Sequence, residues 1–215
     1  MRRHALRGLA VLLLAGLASA AAADEGWKTE KDADGIRIES RAVPNWSIHE
    51  IRASARINAP LSTVVAVLDD VPAITQLNDV VAEAKIVKRS DATHYRMYAA
   101  MKMPWPVSNR DIYNDRVLTQ DAATRVVRIT DSAVTDAPAE KGYVRIVKST
   151  QTWTLTPTAD GKVDARMQVL SDPGGIPAAL INTMSVSSPF KTMSKLRELS
   201  VQAKYAQAKP EFLAP

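Results

Sequence analysis

Met103-Pro104-Trp105-Pro106-Val107-Ser108-Asn109-Arg110-Asp111 is the stretch on which the reading of this chain turns. Its prolines fix φ and push the residues before them into extended backbone. A large aromatic stands between them, Ser108 and Asn109 supply turn chemistry, and an Arg-Asp pair opens the next run. That run, residues 112–118, alternates apolar and polar side chains as a strand does, and residues 95–101 ahead of it also read as extended. The stretch is therefore a rigid connector between two strands, with charge at the mouth of the second.

Working outward, residues 80–88 and 94–103 predict one strand pair, and 110–119, 125–132, 143–157 and 162–171 continue a meander. Upstream, residues 36–40 read as a short strand. Residues 48–57 read as a longer one, with Ile51, Ala53, Ala55 and Ile57 on one face and Glu50, Arg52, Ser54 and Arg56 on the other. Polar residues 26–34 predict a short helix or cap. Asn58-Ala59-Pro60 opens a helix whose apolar side is Val64, Val65, Val67 and Leu68, ended by Asp69-Asp70 and Pro72. Downstream, Ile176, Leu180, Ile181, Met184, Phe190, Met193 and Leu196 recur at helical spacing and predict a long helix over 176–206. Pro189 predicts a kink or break in it near Ser185, and the tail, 209–215, is expected to fray. One long helix against a curved antiparallel sheet is an α+β layer architecture.

The chain opens with Arg2, Arg3 and Arg7, an apolar run over 9–22, and small residues at Ala21-Ala22-Ala23. Residues 1–23 are expected to be a signal peptide, leaving one domain over 24–215 in the periplasm or secreted. The strongly apolar part, 9–17, is shorter than the roughly 20 residues a membrane span needs. The chain carries 28 Lys and Arg against 23 Asp and Glu; three of those arginines lie in the leader, so the formal charge falls from +5 to +2. Such a balance gives no support to nucleic-acid binding. There is no cysteine, which excludes a thiol nucleophile, a thiolate metal site, disulfides and a lipoprotein anchor.

Little in the chain reads as catalytic machinery. His4 leaves with the leader, and His49 and His94 stand singly, with no partner at metal-ligand spacing. No Gly-x-Ser-x-Gly elbow or phosphate-cradling loop is present. No catalytic residue, metal or cofactor is expected.

The opening stretch, Lys141-Gly142-Tyr143-Val144-Arg145, and Asp172-Pro173-Gly174-Gly175-Ile176-Pro177 followed by Leu180-Ile181-Asn182 together resemble, in that order, the steroidogenic-acute-regulatory-related lipid-transfer (START) family. The resemblance implies a helix-grip fold, with the sheet wrapped around the C-terminal helix and an apolar cavity between them. It implies a non-enzymatic monomer that binds and transfers a lipid and touches membranes transiently. It leaves open whether the ligand is a sterol, hopanoid, phospholipid, fatty acid or quinone.

On that reading Arg110 faces the cavity and orients the ligand's polar end. Burying a charge requires a partner. Asp111 points to the opposite face, and 95–101 holds no acid, which leaves Arg110 for a carboxylate, phosphate or hydroxyl. Met97, Tyr98, Met101, Met103, Trp105, Tyr113, Trp153, Met167, Ile181 and Met184 are the expected lining. Pro173, Gly174, Gly175 and Pro177, with the loop 133–142, are the expected gate, and stiffening the glycine pair is expected to slow lipid exchange. The alternative is a helix-grip enzyme of the cyclase or hydratase type, drawing acid–base groups from Arg110, Asp111, Tyr98 and Tyr113.

Overall fold

Strand alternation runs through most of the chain, and the computed structural model, which describes residues 26–214, gathers those strands into one sheet. The leader expected at 1–23 lies outside the described residues. The strands are β1 (Lys28–Ala33), β2 (Ile36–Arg41), β3 (Glu50–Ile57), β4 (Val81–Arg89), β5 (His94–Met101), β6 (Arg110–Gln120), β7 (Val127–Ala133), β8 (Val144–Arg145), β9 (Lys148–Pro157) and β10 (Val163–Asp172). Their order across the sheet is β1-β2-β3-β10-β9-β7-β6-β5-β4, with β8 pairing in parallel at the start of β6 and every other pair antiparallel. The sheet is curved and does not close, so β1 and β4 remain its edges.

One face of the sheet is covered by helices. The first, α1 (Leu61–Asp69), runs through a single 3-10 turn into α2 (Ile74–Leu77). At the C-terminus α3 (Ala178–Met184) and α4 (Ser187–Leu199) follow β10, and α4 packs on β2, β3 and α2. The apolar stripe of α4 is Met193, Leu196 and Leu199, which meets Ile36, Ile38, Ala53 and Ile57 of the sheet in one continuous core. This is the expected helix-grip arrangement. Arg197 fastens the C-terminal end of α4, donating to the backbone carbonyls of Asp34 (2.6 Å), Gly35 (2.8 Å) and Arg56 (3.1 Å).

Four local expectations change. Residues 26–34 form a strand rather than a helix or cap, because Asp34-Gly35, both at positive φ, makes a two-residue hairpin turn that pairs β1 with β2. The 143–157 run is two strands. The chain pairs briefly with β6 as β8, then crosses to pair with β7 and β10 as β9. The C-terminal helix breaks where Pro189 forecasts it, at Ser185–Val186, but ends at Leu199. The tail does not fray. Phe212 and Leu213 pack on the core, and the Ala214 N–H donates to Gln120 Oε1 at 2.9 Å.

Candidate functional site

A cavity of about 280 Å3 lies between the concave face of the sheet and the helices α2 and α4. Its apolar wall comes from alternate residues of neighbouring strands: Met97, Ala99 and Met101 on β5, Ile112 on β6, Trp153 on β9, Met167 and Val169 on β10. Leu68, Ile74 and Leu77 close one side, and Ser188, Pro189 and Thr192 of α4 form part of the roof. Because successive strand side chains point to opposite faces, only every second residue reaches this space.

That rule divides the expected lining. Met97, Met101, Trp153 and Met167 stand in the wall. Tyr98 and Tyr113 stand on the opposite face, with ring centroids 4.9 Å apart, beneath Val134 and Ala137. There burial, together with nearby Asp111, pushes the Tyr98 phenol up to about 12, and the Tyr113 hydroxyl donates to Glu140 (2.8 Å). The loop expected to cover the cavity, 133–142, is thus bound to the outer face of the sheet. Met103 is half-buried in the connector and Ile181 half-buried on α3, neither in the wall. Trp105 is 93 % exposed. Met184 ends α3, and its side chain lies outside the described residues.

Arg110 is buried, yet it takes no place in the cavity wall. Its guanidinium donates to three backbone carbonyls: Ser108, Pro173 (3.2 Å) and Gly174 (2.6 Å). It therefore ties the connector before β6 to the segment before α3. Gly174 and Gly175 both sit at φ +64°, the left-handed region, where only glycine rests without strain. Asp172 Oδ1 accepts from the Gly174 N–H at 2.9 Å and completes the turn. The four expected gate residues are thus the loop that Arg110 holds. Asp111 faces the other way and takes a bidentate pair from Arg145 (2.9 and 2.7 Å).

The buried arginine–acid pair of the cavity is Arg116 with Asp131, which sequence reading misses. The two residues are register partners on β6 and β7, and the guanidinium holds both carboxylate oxygens at 2.6 and 2.7 Å. A third contact runs to the Leu68 carbonyl (2.8 Å) and a fourth to the Tyr95 hydroxyl (3.4 Å), which itself donates to Asp69. Burial opposes the Arg116 charge, but Asp131 outweighs it and keeps the guanidinium protonated. Burial pushes the Tyr95 phenol well above its usual range. The available signal was parity: Arg116 shares a face with Ile112, and Asp131 with Ile129. A charge on the apolar face of a strand is an inward-pointing charge.

The START domain profile matches residues 12–203. The uncharacterized protein PA1579 of Pseudomonas aeruginosa is 32% identical over 174 residues, which cover 80% of this chain and 86% of that protein. Among solved structures, the STAR-related lipid transfer protein of Xanthomonas axonopodis is 37% identical with a TM-score of 0.76, covering 83% of this chain and 100% of that one. Human STARD10 shares the fold, with a TM-score of 0.74 at 22% identity over 83% of this chain and 74% of its own. A wall of methionine and aliphatic side chains beneath a gripping helix, in a chain that carries this profile almost end to end, has one reading: the chain belongs to the START domain family.

Proposed function

We propose that this protein takes up one hydrophobic lipid molecule in the cavity and carries it between membranes in the periplasm. The observation that carries the reading is the cavity itself: about 280 Å3 of mostly apolar space between sheet and helix. The STAR-related lipid transfer protein of Xanthomonas axonopodis, named for that activity, supports it at 37% identity. Burial of apolar ligand surface, worth about 25 cal/mol per Å2 before ordering costs, supplies the driving force. The leader expected at residues 1–23 supports the compartment.

Membrane contact falls at one end of the molecule. Trp105 projects from the connector, and Tyr143, Val144 and Leu180 are exposed on neighbouring segments. The Val144 N–H donates to the Asn109 carbonyl at 2.9 Å, and a Cβ at Gly174 would stand 3.9 Å from Val144 Cγ1. The exposed apolar groups therefore surround the loop that Arg110 holds. An exposed tryptophan beside that loop suits an interface that is apolar on one side and wet on the other.

The reading is of carriage rather than conversion. Among the described residues the one carboxylate in the cavity wall is Asp131, which has both oxygens engaged by Arg116 and is poorly placed to take a proton from a substrate. Mass spectrometry of solvent extracts from natively purified protein tests the proposal. One lipid class at near-stoichiometric amount is expected. Protein that is empty and takes up nothing from vesicles of host-membrane lipid overturns it.

A further inference from the structure

We propose that the cavity is built for an uncharged lipid whose polar end is a hydroxyl, and that Asn114 is the residue that recognises it. The inference rests on the reading that the cavity holds a lipid, and it adds the chemical class.

The charges of the wall cancel and are already used. Arg116 and Asp131 are its only charged residues among those described, and they neutralise each other through two short hydrogen bonds. A further Arg116 nitrogen is engaged by Leu68 and Tyr95. Arg110, which might have met an anionic headgroup, is consumed by three carbonyls outside the wall. An anion entering the cavity would lose its water and find no free cation, a heavy penalty in an apolar site.

The wall nevertheless has polar positions, and they are neutral. Asn114 lies on β6 between Ile112 and Arg116, facing the cavity beside Met97. Its Oδ1 is sealed from solvent and has no hydrogen-bond partner, and the amide makes no side-chain bond to any described residue. A buried acceptor left unpaired is costly, and native proteins carry few. Ser149, Gln151 and Ser171 continue the band across β9 and β10, their side chains again making no hydrogen bond among the described residues. A hydroxyl donates to the unpaired Oδ1 while still accepting from the amide N–H. An ether only accepts, and a carboxylate brings a charge the wall does not balance.

The test measures binding of three matched probes to the full folded protein at pH 8: lauryl alcohol, dodecyl methyl ether and laurate. Displacement of a fluorescent fatty-chain reporter gives the affinities. Lauryl alcohol is expected to bind roughly tenfold more tightly than either of the others, the size of one hydrogen bond to an otherwise unpaired buried group. In Asn114→Leu the advantage over the ether should vanish while the ether's own affinity holds. Laurate or the ether matching the alcohol in the wild type overturns the inference and leaves the lipid reading intact. An Asn114→Leu protein that keeps the full preference also overturns it. If Asn114→Leu fails to fold, as a melting curve will tell, the wild-type ratios alone decide. Failure of all three probes to bind removes the lipid reading and this inference with it.

Discussion

Arg110 and Arg116 lie on the same face of β6, and their guanidinium groups have different partners. The first stands in a conspicuous sequence motif, whereas nothing around the second is conspicuous in sequence. What separates them is tertiary: the turn before α3 folds back to offer Arg110 its carbonyls, and the β7 register brings Asp131 to Arg116. The apolar half of the site was more legible, since Met97, Met101, Trp153 and Met167 lie on strands that the family resemblance places around the cavity. Tyr98 and Tyr113 fail strand parity, which the sequence already contained. Replacing Arg110 with alanine strands three carbonyls. It should lower stability by roughly 2–4 kcal/mol and speed lipid exchange between vesicles. A lower melting temperature with unchanged exchange would reduce Arg110 to a structural brace. A second residue, Asp70, sets an acid limit. Burial raises its pKa, but hydrogen bonds from Lys204 and Tyr205 outweigh this and hold the carboxyl below its ordinary value. A lowered folded-state pKa adds stability above the unfolded value, about 3.9, and loses it as pH falls through the folded one. The melting-temperature gap between wild type and Asp70→Asn should therefore be full at pH 7 and close below about pH 4.

At the scale of elements, α3 and α4 behave as two bodies. Pro189 lacks an N–H for the Ser185 carbonyl, and the helix interrupts there, as its position in the sequence dictates. The far end of α4 is fixed by Arg197 on three carbonyls. The near end is tied through α3, where Asn182 bonds the His49 N–H (3.0 Å) and the Ser47 carbonyl (3.3 Å), and through the Arg110 loop. On the proposed carrier reading, opening would be a motion of α3 and its lead-in about the Ser185–Val186 break. This reverses the effect expected from stiffening the glycines. Alanine at Gly174 or Gly175 meets no clash, but at φ +64° each costs about 1–2 kcal/mol. That strain falls on the closed loop, so Gly174→Ala/Gly175→Ala should exchange lipid faster than wild type, not slower. Stopped-flow transfer from labelled vesicles reads the sign directly. Long elements were legible because their periodicity is local. The short strands β1 and β8 were not: β1 is almost wholly exposed and carries no apolar face to betray it, and β8 exists only by pairing with β6.

For the whole molecule, exposed Trp105, Tyr143, Val144 and Leu180 lie on the segments that adjoin the loop Arg110 holds. Trp105→Ser should leave stability within about 1 kcal/mol of wild type, since the side chain is 93 % exposed, while reducing vesicle binding in a flotation assay. Unaltered flotation would move the membrane contact elsewhere. The open sheet has a further consequence. A sheet that wraps a helix without closing must leave two strands unpaired along their outer sides, and unpaired backbone invites other chains to add on. Both outer strands are poor hosts. The first, β1, alternates Lys28, Glu30, Lys31 and Asp32 along its length and shifts register between Thr29 and Lys31. The last, β4, shifts register twice and ends in Lys85, Lys88 and Arg89. Charge and irregularity at the margins let the protein keep the gap its guest requires without becoming a template for its own aggregation.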